Sequence, residues 1–170
     1  MVQTMVSLGL PTFILLAGMV DDLRSRKVHN WLTVGLAVLA LLVVGIVFKL
    51  PGIQQGALGA SLALALCLPL FLAGIMGGGD LKLFTAFGLA TDWNTVFWVL
   101  IFSFIWGALL GIFRAVLSGK GRVLVKNTLA LLSRNVDRST LELQKVPYTV
   151  ALFFGWLTQM SLVHGGGLPW

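Results

Sequence analysis

The feature that most constrains this chain is a series of stretches without a formal charge, at residues 1–20, 28–48, 50–79, 93–113 and 146–170. Most of them hold the roughly 20 apolar residues that a helix needs to cross a ~30 Å hydrocarbon layer. Of 170 residues, 58% are hydrophobic and 11% charged. That balance lies outside the range of soluble domains and makes lipid the expected solvent. The first stretch has no basic residue ahead of its apolar part and no small-residue cleavage site before Asp21, so it reads as a retained helix and not as a signal peptide. The lone Cys67 lies inside an apolar segment, which excludes an intrachain disulfide or a cysteine cluster for zinc.

The expected fold is all-α and integral to the membrane, with six transmembrane helices near 3–21, 30–48, 55–75, 80–92, 94–114 and 147–164. The whole of 1–170 forms one domain, and a basic connector at about 115–146 supplies a cytoplasmic interfacial segment between helices five and six. Pro51 and Gly52 are expected to break the second hairpin in a short outer loop. The fourth helix is the weak element, since roughly 13 residues rise only about 20 Å. Charge placement sets the orientation, because lysine and arginine collect in cytoplasmic loops. With the N-terminus outside, every basic residue but Lys49 falls on the inner side, and the C-terminus lies outside. The basic excess is thereby assigned to the bilayer and topology, with no nucleic-acid partner. Gly52, Gly56 and Ala60, and again Gly107 and Gly111, recur at four-residue spacing, which suits close helix packing.

Only six acidic residues exist: Asp21, Asp22, Asp80, Asp92, Asp137 and Glu142. A carboxylate near hydrocarbon is costly to ionise, so one at the membrane edge is a candidate functional group. Asp21 and Asp22 close the first helix and Asp80 opens the fourth. Two crossings lie between them, so the two sites share the cytoplasmic edge. Two close carboxylates in a low-dielectric site do not both ionise easily, and one becomes a base while the other stays an acid. Such a pair can activate water against a peptide carbonyl without a covalent intermediate. Gly77, Gly78 and Gly79 carry no side chains, so a substrate backbone can come close to Asp80, and their permissive dihedrals suit an extended approach to the helix. Gly74 lies outside this run and is expected to tolerate a side chain. The bland alternatives are that Asp80 is an N-cap and that Asp22 marks the end of a hydrophobic helix. Lys82 is either a charge partner for a carboxylate or a positive-inside anchor.

"DLRSRKVHNWLT" at 22–33 resembles the Asp-Leu-Arg-x-x-x-Ile-Pro-Asn segment of type IV prepilin peptidases, and "GGGDLKLFTAFG" at 77–88 resembles their Gly-x-Gly-Asp-x-Lys motif. "KVPYTVALFFG" at 145–155 is similar to the Pro-Tyr or Pro-Phe start of the last helix in that family. The resemblance implies a membrane aspartyl protease with Asp22 and Asp80 as its catalytic pair. Gly77, Gly79, Lys82, Arg24 and Asn30 are its further motif residues, with Asp21 a neighbour of the pair. His29 departs from the pattern, standing where the family usually has proline. The chain begins in its first helix and has one cysteine, so it resembles the short branch that serves tight-adherence (Flp) pili, or a related archaeal-type preflagellin or prepilin peptidase, without implied methyltransferase activity. The implied substrate is a membrane-inserted prepilin with a basic leader, cut on the cytoplasmic side of the inner membrane. No cofactor and no metal are implied.

Two readings from other classes compete. A proton-coupled transporter or channel subunit also uses membrane carboxylates, but such proteins often show internal repeats and midplane sites, whereas these acids lie at one edge. A non-catalytic pilus-assembly subunit would make the aspartates replaceable by asparagine. There is no His-Glu-x-x-His zinc site and no Gly-x-Ser-x-Gly elbow.

Overall fold

A computed structural model describes residues 2–74, 76–117 and 148–164. Residues 118–146 of the expected interfacial connector, and Pro147 after it, lie outside the described residues. Among the described residues the fold is all-helical: α1 (Val2–Ser25), α2 (Asn30–Leu72), α3 (Gly78–Leu89), α4 (Trp93–Leu117) and α5 (Tyr148–His164). By length and composition three of these are long and apolar enough to cross a membrane, namely α1, α2 and the Trp93–Arg114 part of α4. The α5 helix, with 17 residues, and α3, with 12, are shorter than that.

With 43 residues, α2 would rise about 65 Å if straight, twice a hydrocarbon layer. It is not straight. Lys49 has φ 58° and ψ −150°, a non-helical residue between two helical arms. A Cβ placed on Gly45 would stand 3.5 Å from Ile53 Cδ1, although eight residues of continuous helix rise about 12 Å. The arms therefore bend back sharply at Lys49. The break thus falls just before Pro51 and Gly52 and leaves no loop at 51–54, because proline is well accepted in the first turn of a helix, where its missing N–H has no partner to lose. Each arm buries a helical stripe: Thr33, Leu36, Ala40 and Val44 on the first, Gly56, Gly59, Ala60, Ala63 and Cys67 on the second.

The short α3 is the centre of the bundle. Leu81, Leu83, Phe84, Ala86, Phe87 and Gly88 are all buried, and Phe84 and Phe87 stack at 5.6 Å while Trp156 of α5 meets Phe87 edge-on at 5.5 Å. The helix sits tightly on the second arm of α2, where a Cβ on Gly88 would meet the Ala60 nitrogen and the Gly59 carbonyl at 2.8 Å. In the same way Gly155 admits α4, since a Cβ there would lie 2.8 Å from the Val99 carbonyl oxygen. Gly56 and Ala60 thus serve the close packing expected of them, whereas Gly111 has nothing within 4 Å. Asp92 caps α4, accepting the Asn94 and Thr95 amides at 3.0 and 3.1 Å and the Thr95 hydroxyl at 2.6 Å.

Candidate active site

Asp22 stands in the last turn of α1, whose end is fixed by the left-handed Arg26 (φ 55°), with its N–H donating to the Asp22 carbonyl at 2.7 Å. Asp80 stands in the first turn of α3. The two carboxylates are half-buried and close enough for their charges to act on each other. Cys67, on the second arm of α2, and Tyr148, at the start of α5, are near enough to feel the Asp80 charge as well. Any two carboxylates so placed resist joint ionisation and favour sharing one proton.

Asp80 is not an N-cap. Gly77 is the N-cap of α3, extended at φ −74° and ψ 148°, which puts Asp80 three residues inside the helix. The Asp80 carboxylate turns back toward Gly77, as a side chain at this position of a capping box does. None of Gly77, Gly78 and Gly79 has a positive φ, so the glycine run is not there for its dihedral freedom. Space explains it instead. A Cβ on Gly79 would stand 2.9 Å from Val28 Cβ, and one on Gly78 would stand 3.2 Å from the Phe71 ring. Gly77 is exposed, and a Cβ there would approach Asp80 Oδ2 at 3.1 Å. Gly74 is the reverse case, with open space around it but φ 73°. The tolerance expected at Gly74 therefore does not hold, because the left-handed backbone strains a side chain even where there is room.

Of the other motif residues, Lys82 and Asn30 are brought together. Lys82 Nζ donates to Asn30 Oδ1 at 2.9 Å, joining the start of α3 to the start of α2. Arg24 is exposed on the last turn of α1. Two further relationships have no signature in local spacing. The Thr149 hydroxyl, on the first turn of α5, donates to Asp22 Oδ2 at 2.7 Å. Asp21 closes the α1–α2 turn, accepting the His29 backbone N–H at 2.8 Å and meeting His29 Nδ1 at 2.9 Å. His29 is the extended residue before α2, with φ −73°. That value lies within the range proline imposes, so the departure from the proline of the resembling motif leaves the backbone path intact.

Comparison with known proteins agrees with the likeness of these motifs. A family model described as the type IV leader peptidase family matches residues 10–112, which takes in both aspartates and every glycine of the 77–79 run. No curated protein and no solved structure matches the chain.

Proposed function

Because the chain belongs to the type IV leader peptidase family, and so to the peptidases, we propose that it is an aspartic endopeptidase that removes the basic leader of prepilins at the cytoplasmic edge of the inner membrane. The observation that carries this reading is the placement of Asp22 in the last turn of α1 and Asp80 in the first turn of α3, both half-buried and within range of each other's charge. Asp22 and Asp80 share a proton between them. The ionised member takes a proton from water, whose oxygen attacks the scissile carbonyl carbon while the protonated member donates to the carbonyl oxygen. Collapse of the tetrahedral intermediate breaks the C–N bond and returns a proton to the leaving amine. The leader leaves as a carboxylate and the mature pilin gains a free amino terminus. No metal, cofactor or nucleic acid takes part. Six crossings, with the two arms of α2 counted separately and α3 as a short fourth, would bring both aspartates to the side rich in lysine and arginine. The likeness to the short branch points to tight-adherence (Flp) prepilins, with their hydrophobic helix held in the bilayer beside the open Gly77.

The test is cleavage of candidate prepilins from the same genome by the protein in lipid vesicles, with Asp22→Asn and Asp80→Asn alongside. Each variant is expected to insert normally and to release no leader, since each loses one half of the acid–base pair at nearly constant volume. Full processing by either variant overturns the mechanism.

A further inference from the structure

Most helical threonines in this protein hold their hydroxyl protons locally. Thr12, Thr33, Thr85 and Thr158 each donate to a backbone carbonyl three or four residues earlier, the usual way such side chains satisfy themselves inside apolar helices. Thr149 does not. It is the second residue of α5, so no helical carbonyl precedes it by a full turn, and its side chain is fully buried. Its hydroxyl donates across 127 residues of sequence to Oδ2 of Asp22 at 2.7 Å. Among the described residues Asp22 Oδ1 has no hydrogen-bond partner. The two oxygens of this carboxylate are therefore inequivalent.

The turn that carries Thr149 is itself anchored. Tyr148 shares a 2.7 Å hydrogen bond with Ser103 of α4, and the Ser103 hydroxyl donates to the Leu100 carbonyl at 2.7 Å, so the phenol is the donor to Ser103. One turn of α5 is thus tied to α4 through Tyr148 and to α1 through Thr149. Farther along the same α1–α5 contact, Trp156 Nε1 donates to Thr12 Oγ1 at 2.8 Å. These bonds fix the depth at which the threonine meets the carboxylate. Thr149 also lies beyond the 10–112 stretch that the family model matches.

We infer that Thr149 is a positioning residue for the peptidase reaction, locking Asp22 through Oδ2 so that Oδ1 is the oxygen presented to the attacking water and to Asp80. This inference rests on the reading of Asp22 and Asp80 as the catalytic pair. An aspartate at a helix end has several accessible rotamers, and a single short bond from a buried donor selects one of them. The side chain of Thr149 is fully buried against Asp22 and acts through it.

The experiment compares Thr149→Val, which keeps the branched shape and removes the hydroxyl, with Thr149→Ser, which keeps the hydroxyl. Both are reconstituted in lipid vesicles with a prepilin-type peptide carrying a basic leader and an apolar helix, beside wild type and Asp22→Asn, and thermal unfolding in detergent is followed for all four. The expected result is a loss of about 10- to 100-fold in kcat for Thr149→Val, the scale that misplacement of a reacting group brings. KM and the unfolding midpoint stay near wild type, and Thr149→Ser recovers most of the rate. A Thr149→Val protein with wild-type kcat beside an inactive Asp22→Asn overturns the role of Thr149 and leaves the peptidase mechanism standing. Processing by Asp22→Asn overturns the mechanism and this inference with it. If Thr149→Val loses rate and unfolding midpoint together and serine restores neither, the residue is a packing element and the inference fails.

Discussion

Val28 occupies the space directly over Gly79: a Cβ on the glycine would stand 2.9 Å from Val28 Cβ and 3.1 Å from its carbonyl oxygen. Val28 is itself buried. The turn between α1 and α2 is thereby seated on the first turn of α3, with Val28 two residues after Arg26 and Gly79 one residue before Asp80. The position of one carboxylate relative to the other depends on this contact.

Gly79→Ala is accordingly expected to destabilise the protein by about 1–3 kcal/mol, as overpacking does where the neighbours are a Cβ and main-chain atoms that cannot rotate away. Leader cleavage should fall in parallel. Val28→Gly in the same chain removes the nearest atom and should recover part of both. Thermal unfolding and cleavage rate measured on the single and double variants decide the matter. If Val28→Gly restores nothing, Gly79 serves some purpose other than helix contact, such as passage of a substrate backbone.

Lys49 carries the second prediction. Its φ of 58° with ψ −150° lies near a region that glycine enters freely and other residues enter at a cost of about 1–3 kcal/mol. The side chain is exposed, so little packing is lost with it. Lys49→Gly is expected to raise the stability by about 1 kcal/mol, after the added freedom of the unfolded chain is set against the relieved strain. An unfolding midpoint lowered by this change would contradict a strained hinge.

Much of the fold was legible because lipid enforces it. Charge-free runs mark helices directly, and their observed ends lie within a few residues of the expected ones for α1, α4 and α5. The hinge falls at the start of the expected 49–54 gap, on a lysine with no turn signature, while the conspicuous Pro51 and Gly52 belong to the helical arm after it. The candidate site divides in the same way. Asp22 and Asp80 stand out because carboxylates are rare in this chain and are framed by motifs. Gly79 is legible as a glycine, but its contact is not, since only the packed structure shows Val28 above it. Thr149 had no local signal at all: a threonine in an apolar helix looks like any other until the carboxylate that accepts its proton, 127 residues away, is seen.

The third prediction concerns orientation. A reporter fused after Ser118 is expected in the cytoplasm and one fused after Trp170 outside, as the division of basic residues requires. The short α5 is the sole described helix between those two points. Both reporters on one side would mean that α5 does not cross, and the six-crossing arrangement would have to be abandoned.

The last prediction concerns the turn that His29 and Asp21 hold. His29 adopts φ −73°, so proline fits its backbone, but proline removes the N–H that donates to Asp21 at 2.8 Å. The side chain adds a second contact, Nδ1 to the same carboxylate at 2.9 Å. With Asp21 only 16% exposed, losing both partners leaves a largely buried carboxylate without donors, which costs about 1–3 kcal/mol or more. His29→Pro alone should therefore destabilise the protein despite its suitable dihedral. Asp21→Ala alone should also destabilise it, by stranding the His29 N–H and freeing the turn. Together the two changes remove donor and acceptor at once and replace a hydrogen-bonded constraint with a covalent one. The double variant is expected to lie closer to wild type than either single variant, in unfolding midpoint and in cleavage rate. Costs that simply add would show that the pair does not work as one constraint on the turn, and that the path of residues 26–29 is held by Val28 and Gly79 instead.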